Sequence, residues 1–196
     1  MDLTFLIQSL GYLGVFAIVF AESGLFFGFF FPGDSLLFSA GLLASQGVLN
    51  IFVLIPLIIV GAVAGDSVGY WFGVKAGPKI FNREDSLFFN KKHIARAHFF
   101  YIKYGTRAIV LARFVPVVRT FTPILAGVGG MPYRIFFKYN VVGGVLWGAG
   151  GTLLGYFLGA VVPNIERYLL PIILGIIFVS FLPIVFEFWK NKKSAK

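Results

Sequence analysis

The sequence predicts an all-α polytopic membrane protein built as an inverted repeat. Three observations lead to this fold class. First, 58% of the 196 residues are hydrophobic and only 13% are charged, whereas a soluble domain carries roughly 25% charged residues. Second, short motifs recur in the same order in both halves of the chain. Third, proline and glycine residues divide the apolar stretches into arms that are too short to cross a membrane.

The internal repeat rests on three matched motifs. Residues 17–22, Ala-Ile-Val-Phe-Ala-Glu, recur as residues 108–113, Ala-Ile-Val-Leu-Ala-Arg, at an offset of 91. The Ala-Gly pair at 40–41 and the glycine pattern at 65–73 both recur 86 residues later. One gap of five residues therefore aligns the halves. Ordered matches of this kind predict two halves of similar structure.

Each half is predicted to contain an interfacial helix, a re-entrant helical hairpin and a transmembrane helix. Repeat 1 covers residues 2–74 and repeat 2 covers residues 94–160, with a basic cytoplasmic loop at 75–93 between them. The interfacial helices are predicted at 2–10 and 94–104, and the transmembrane helices at 51–73 and 135–160. An extra C-terminal transmembrane helix at 169–189 and a basic tail at 190–196 complete a single membrane domain, 1–196.

Two breaks predict where the hairpins turn. Residues 31–34 read Phe-Pro-Gly-Asp, and residues 116–120 read Pro-Val-Val-Arg-Thr. Proline lacks a backbone donor and glycine permits a reversal of the chain, so Pro32, Gly33 and Pro116 are the predicted turn residues. The arm after the first break is about half of the ~20 residues that cross the hydrocarbon core. Two half-helices that return to the same side are therefore expected.

The distribution of charge predicts the orientation of the chain. The sequence has 17 Lys and Arg against 8 Asp and Glu, and most of the cations lie in the 75–107 region and the C-terminal tail. Basic residues beside apolar segments are typical of cytoplasmic loops. We therefore expect a multi-pass protein of the cytoplasmic membrane with its C-terminus in the cytoplasm. The basic clusters favour contact with membrane lipids, and no nucleic-acid partner is predicted.

The composition also argues against metal sites. The chain has no cysteine, and its two histidines both lie in the basic loop. Thiolate sites are excluded and a histidine-built site is disfavoured, because structural and catalytic metals need several such ligands close together. No metal and no cofactor is predicted.

Five charged residues lie inside apolar segments: Glu22, Asp34, Asp66, Arg113 and Arg119. A charge at the bilayer centre costs at least ~2.5–3.5 kcal/mol, so each needs a partner. In the repeat alignment Glu22 matches Arg113, and Asp34 lies one position from the equivalent of Arg119. If the hairpin tips face one another, two acid–arginine pairs are expected in a protein-lined cavity.

Simpler roles remain open for these residues. Asp34 could cap the second half-helix. Glu22 and Arg113 could form a plain buried salt bridge, although such pairs often fail to recover their desolvation cost. Asp66 could pair with a cation of the basic loop.

The arginines predict an anionic ligand. Arginine stays charged and presents a planar fork that matches phosphate oxygens, and the amides at the start of a half-helix also favour anions. The predicted phosphate-binding residues are Arg113, Arg119 and Thr120. The predicted charge-coupling residues are Glu22, Asp34 and Asp66.

Together these motifs resemble the DedA family, also called the SNARE-associated or VTT-domain family. The resemblance covers residues 10–160, and its carriers are Glu22, Phe31-Pro32-Gly33-Asp34, Gly65-Asp66-x-x-Gly69-Tyr70-x-x-Gly73, Arg113-Phe114-x-Pro116-x-x-Arg119-Thr120 and Ala126-Gly127. It implies two opposed re-entrant hairpins, translocation of lipids and a link to the proton-motive force, which would give the acids Glu22, Asp34 and Asp66 protonation roles. It also implies that Glu22, Asp34, Arg113 and Arg119 are the essential acids and arginines.

The leading hypothesis is a flippase or translocase for a phosphate-bearing lipid, with undecaprenyl phosphate as the favoured substrate. A flippase or scramblase for phosphatidylethanolamine or other phospholipids is one alternative, and a proton-coupled exporter of small cations or drugs is another. An enzyme is disfavoured because no histidine lies in a membrane segment and no paired-aspartate metal motif is present. A scaffold is disfavoured by the cost of five intramembrane charges. The oligomeric state stays open, a homodimer being one option.

Overall fold

The computed structural model describes residues 3–24, 33–81 and 106–161, and all regular structure within them is α-helical. The helices are α1 (Leu3–Gly24), α2 (Gly33–Ser45), α3 (Ile51–Phe81), α4 (Arg107–Ala112), α5 (Pro116–Val128) and α6 (Tyr133–Val161). The predicted interfacial helix at 94–104, the C-terminal helix at 169–189, the basic tail and Pro32 lie outside the described residues.

Helices α3 and α6 are long and apolar enough to cross a membrane. They contain 31 and 29 residues, whereas ~20 residues cross the hydrocarbon core. Only 33% of each apolar span is buried, and large apolar side chains such as Phe52 and Leu154 point outward, 85% and 69% exposed. A helix in the core of a soluble protein would be mostly covered by its neighbours. The long helices predicted at 51–73 and 135–160 are confirmed.

Helices α2 and α5 have the same length and the same C-terminal turn. Each contains 13 residues. Each ends two residues before a glycine in the left-handed region, Gly47 at φ 78° and Gly130 at φ 69°. The residue after each glycine donates its N–H back into the helix, to Leu43 O at 3.1 Å and to Ala126 O at 3.0 Å. This pair of turns satisfies carbonyls at the helix end and directs the chain into the following long helix.

Helix α3 starts at a side-chain cap. The Phe52 N–H donates to Asn50 Oδ1 at 2.9 Å, which satisfies one of the free donors of the first turn. The Asn50 N–H itself donates to the Tyr12 hydroxyl at 2.6 Å. The cap therefore also ties the start of α3 to α1.

Three predicted boundaries are wrong. Helix α3 continues to Phe81, so the basic loop predicted at 75–93 does not begin at residue 75. Residues 2–10 do not form a separate interfacial helix, because α1 runs from Leu3 to Gly24 and no proline interrupts it. The second break lies at residues 113–115 rather than 116–120, because Pro116 begins α5. A proline at the first helical position loses no intrahelical hydrogen bond. Gly33 likewise begins α2, so both predicted turn residues stand at the start of the second arm.

Glycines allow α2 and α6 to pack with their backbones in contact. A Cβ atom at Gly41 would overlap the backbone carbonyl of Thr152, and a Cβ atom at Gly155 would overlap that of Phe38. The start of α2 lies beside Trp147, and its last residue, Ser45, lies against Gly159 further along α6. Because the contact positions advance together along both helices, α2 runs parallel to α6.

Helices α3 and α5 pack in the same manner. A Cβ atom at Gly69 would lie 3.4 Å from the Pro123 Cβ, and one at Gly127 would lie 2.8 Å from the Val74 backbone nitrogen. These positions also advance together, so α5 runs parallel to α3. In both cases the second arm of one half lies against the long helix of the other half.

The two long helices run in opposite directions. A Cβ atom at Gly148, in the middle of α6, would lie 3.0 Å from the Ile58 side chain near the start of α3. The Tyr133 hydroxyl, at the start of α6, donates to Ser67 Oγ at 3.2 Å further along α3. Since α2 is parallel to α6 and α5 is parallel to α3, each second arm is antiparallel to the long helix of its own half.

The end of α1 and the start of α2 lie near the middle of the long helices. Helix α1 runs parallel to α3, with Phe16 beside Gly61 and the end of α1 at Gly24 against Gly65. Helix α2 begins beside Trp147, at the middle of α6. The polar side chains at the ends of these arms therefore meet halfway along the two spans.

Candidate functional site

Arg119, in the first turn of α5, binds two carboxylates. One terminal nitrogen donates to Glu22 Oε1 in the last turn of α1, and the other donates to Asp34 Oδ1 in the first turn of α2 at 2.8 Å. Glu22 and Arg119 are 1% and 8% exposed, whereas the Asp34 side chain is 40% exposed. Asp34 is therefore the open edge of an otherwise closed cluster.

The start of α2 holds the Glu22 carboxylate closely. A Cβ atom at Gly33 would overlap the carboxylate, so only glycine leaves room for it there. Within the described residues, Glu22 Oε2 is buried and has no hydrogen-bond partner. Arg119 is thus the donor that compensates this carboxylate among the residues described.

Arg113, in the turn after α4, forms a second cluster with α3 and α6. Its guanidinium donates to the Asp66 carboxylate, to Asn140 Oδ1 and, at 3.5 Å, to the Ala62 carbonyl. Arg113 and the Asp66 side chain are 4% and 7% exposed. A Cβ atom at Gly143 would lie 2.8 Å from Arg113 Cδ, so this glycine forms the notch in which the side chain lies.

Trp147 connects the two clusters. The Cζ atoms of Arg119 and Arg113 lie 5.0 and 5.9 Å from the centroid of its ring, within the range of a cation–π interaction. The indole N–H donates to Asp34 Oδ1 at 2.7 Å. Trp147 is 5% exposed and also packs in the apolar core with Ile58. Through this one side chain, polar residues of five helices, α1, α2, α3, α5 and α6, and of the turn after α4 form one continuous network.

The ion pairs differ from the predicted ones. The expected pair of Glu22 with Arg113 is wrong, because Glu22 binds Arg119 and Arg113 binds Asp66. The contact of Asp34 with Arg119 is present. The alignment identifies equivalent positions in the halves, and equivalent positions need not touch each other. Partners are set by the packing of α1 and α5 against the same helix, α3.

These contacts also bear on the simpler roles considered for two acids. Asp66 pairs with Arg113 in the middle of the protein, and the basic loop from residue 82 onward lies outside the described residues. Asp34 lies within the first turn of α2, and its carboxylate accepts from Arg119 and Trp147. Thr120, which follows Arg119 on α5, is buried, 2% exposed. A phosphate-binding role for Arg113, Arg119 and Thr120 stays a prediction.

Sequence reasoning missed two members of the network, Asn140 and Trp147. Asn140 is fully buried, and its amide N–H donates to the Val63 carbonyl at 3.1 Å, which turns Oδ1 toward Arg113. Its signal in the sequence is an amide side chain within an apolar segment, which is costly to bury without partners. Trp147 stands between glycines at 143–144 and 148, an arrangement in which a large side chain fills space that its neighbours leave.

Among the residues that the structure describes, the network has one carboxylate more than it has guanidinium groups. Three carboxylates, of Glu22, Asp34 and Asp66, face two guanidinium groups. One proton, or one displaced carboxylate, would balance the charges. Within the described parts of the chain, no three His, Asp or Glu side chains converge to hold a metal ion. The chemistry available to this arrangement is the binding and exchange of charged groups.

Comparison with known proteins identifies the family. The model of the VTT domain matches residues 31–156, which include α2 to α6 and most of the polar network. The chain belongs to the VTT-domain (DedA) family. It is 45% identical over 186 residues to the protein DedA of Escherichia coli, covering 94% of this chain and 84% of that protein.

Two further relatives of this DedA-family chain are named as uncharacterized membrane proteins. The one from Mycobacterium leprae is 47% identical over 177 residues, which are 90% of this chain and 79% of the relative. The one from Mycobacterium tuberculosis is 49% identical over 172 residues, 87% of this chain and 75% of the relative. No solved structure matches the chain. With the two apolar helices, these relatives identify a membrane protein.

Proposed function

We propose that this DedA-family protein is a flippase or translocase that moves a phosphate-bearing lipid across the cytoplasmic membrane. The observation that carries the proposal is the Arg119 cluster. The buried guanidinium lies halfway along the two spans and donates to two carboxylates, that of Glu22, which is buried, and that of Asp34, which is partly exposed. A lipid phosphate that displaced Asp34 would meet the terminal nitrogen that Asp34 leaves, whose two N–H donors lie in the plane of the guanidinium. Glu22 would stay and hold the guanidinium in place.

The directions of the helices support an inverted repeat with two re-entrant hairpins. In the first half α2 is antiparallel to α3, and in the second half α5 is antiparallel to α6, while α3 and α6 oppose each other. Transporters with inverted repeats bind their substrates near the midplane, where broken helices end. The proposed orientation keeps the basic 75–93 loop and the C-terminus in the cytoplasm.

Undecaprenyl phosphate, the lipid that the resemblance to the DedA family suggests, is the favoured substrate, and its phosphate head group needs only guanidinium and amide donors. Phosphatidylethanolamine and other phospholipids are the first alternative. An ethanolamine ammonium could bind the Asp34 carboxylate after Asp34 leaves Arg119, so the same cluster has a partner for both parts of that head group. Competition between the two lipids for transport would distinguish these substrates.

Proton coupling is part of the proposal. The network carries one carboxylate more than it has arginines, and an uncompensated charge in the membrane is costly. Uptake of one proton would neutralise the site without substrate. Binding of a phosphate anion would add negative charge and favour further protonation. Transport would then depend on the proton gradient.

Substitution of Arg119 tests the proposal. We expect Arg119→Ala to lower the rate of lipid-phosphate transport in proteoliposomes by roughly 10- to 100-fold, because a hydrogen bond to a charged group contributes about 1.5–3 kcal/mol. Arg119→Lys should not restore transport, since one ammonium lacks the fork that spans two anions. Arg134→Ala is the matched control, because Arg134 is an exposed arginine of α6. Wild-type transport by Arg119→Ala would refute the proposal.

The open position of Asp34 favours one other candidate, a proton-coupled exporter of small cations or drugs. In that case the carboxylate, rather than the guanidinium, would contact the substrate. Asp34→Asn would then abolish binding of an organic cation, while Arg119→Lys would be tolerated. Under the lipid-phosphate proposal, Asp34→Asn keeps the binding of lipid phosphate. We also propose that the protein is not an enzyme, so a labelled lipid phosphate should be recovered intact after incubation.

A further inference from the structure

The proposed transport of lipid phosphate assigns no role to Trp147, although this side chain contacts both Arg119 and Asp34. Its indole N–H and the Arg119 guanidinium donate to the same carboxylate oxygen, Asp34 Oδ1, at 2.7 and 2.8 Å. The carboxylate therefore has two donors, from two different helices, at one atom. If Arg119 turns away, the second donor is already in contact.

The two carboxylates that bind Arg119 differ in the hydrogen-bond donors that each would keep if its contact with the guanidinium were broken. Glu22 is 1% exposed, and its other oxygen has no partner within the described residues. A buried carboxylate left without a donor pays its desolvation cost in full. Asp34 would keep the indole N–H as a donor, and its side chain is 40% exposed, so it is less completely desolvated than Glu22. Asp34 is the carboxylate that leaves Arg119 at the lower cost.

The ring of Trp147 supports the same exchange. The Arg119 Cζ lies 5.0 Å from the ring centroid, so the guanidinium keeps a favourable electrostatic contact while one of its anions is replaced. Trp147 is 5% exposed and packed in the core, which fixes the indole N–H in place. The fixed indole N–H is therefore suited to hold the Asp34 carboxylate after that carboxylate leaves Arg119.

We propose that Trp147 is a positioning residue that retains the Asp34 carboxylate when a lipid phosphate takes its place on Arg119. This inference rests on the proposed function. Without the indole N–H, Asp34 has Arg119 as its remaining partner in the described network, and the phosphate must compete with it directly. Removing the N–H should therefore weaken the binding of phosphate without removing any group that touches the phosphate.

Equilibrium binding of radiolabelled undecaprenyl phosphate to the full-length protein in detergent tests the proposal. Trp147→Phe keeps an aromatic ring and removes the N–H donor, and we expect the Kd to rise about tenfold or more, the value of a lost hydrogen bond to a charged group. Trp71→Phe is the matched control, because Trp71 is half-exposed on α3 and lies against Tyr133. Its Kd should stay within about twofold of the wild-type value.

The decisive arm combines Trp147→Phe with Asp34→Asn. If Trp147 acts through Asp34, the neutral amide no longer competes for Arg119, and Trp147→Phe should change the Kd by less than about twofold in that background. Near wild-type binding by the double variant would also establish that the substituted protein is folded. Equal losses in both backgrounds, or an unchanged Kd in Trp147→Phe alone, would overturn the role given to Trp147. A wild-type protein that does not bind lipid phosphate would instead overturn the proposed function.

Discussion

Removal of the Asp66 carboxylate should destabilise the protein strongly. In Asp66→Ala, Arg113 would stay buried, 4% exposed, with Asn140 Oδ1 and the Ala62 carbonyl as acceptors. Loss of one partner of a buried ion pair costs about 3–5 kcal/mol. Because two neutral acceptors remain, we expect the lower end of that range, about 3 kcal/mol, or roughly 100-fold in the folding equilibrium.

Equilibrium unfolding in mixed micelles, followed by circular dichroism as the denaturing detergent increases, would measure this loss. The double variant Asp66→Ala/Arg113→Met removes both charges and should recover more than half of the lost free energy, because no unpaired charge stays buried. Arg134→Ala, at an exposed position of α6, should change the free energy of unfolding by less than about 0.5 kcal/mol. A loss below about 1 kcal/mol for Asp66→Ala would contradict the interpretation of this pair as a buried ion pair.

Two glycine substitutions test other contacts of the network and the packing. Gly33→Ala would push the Glu22 carboxylate away from α2 and Arg119. We therefore expect the transport of lipid phosphate in proteoliposomes to fall by about tenfold or more. Gly14→Ala, whose Cβ meets nothing within 4 Å, should leave the transport rate unchanged. Gly155→Ala would drive a methyl group into the Phe38 carbonyl and should lower the free energy of unfolding by about 1–3 kcal/mol. Gly150→Ala is the control, because a Cβ atom there meets nothing within 4 Å, and it should be neutral or slightly stabilising. Equal effects of the two substitutions would exclude a close contact of α2 with α6.

The long helices and the set of buried charges could be predicted from the sequence. Uninterrupted apolar stretches define α3 and α6, and an ionisable residue in such a stretch is so costly that its burial among partners follows. Gly33 and Pro116 mark the start of α2 and α5, because a proline at the first helical position loses no intrahelical hydrogen bond and a glycine beside a break accepts unusual backbone conformations. These features depend on local sequence and on a general cost of burial.

The pairing of the charges could not be predicted in the same way. The repeat alignment compares Glu22 with Arg113, but the distance between two such side chains depends on how the halves dock. Both α1 and α5 pack on α3, and this brings Glu22 to Arg119. The contact of Arg113 with Asn140 depends in turn on the notch at Gly143. Docking of this kind is a tertiary property that has no short-range signature.

The close glycine contacts have a mechanical consequence. Where backbones touch without intervening side chains, the two helices have little freedom to slide or separate, so α2 should move as one body with α6, and α5 as one body with α3. Each body then combines segments from both halves of the chain. The bond from Arg119 to Asp34 crosses the boundary between these bodies. Arg113, in the turn after α4, bonds to Asp66 of one body and to Asn140 of the other. If the two bodies rocked to open first one side of the membrane and then the other, the ionic contacts between them would break and form again. The backbone contacts at the glycines would stay in place.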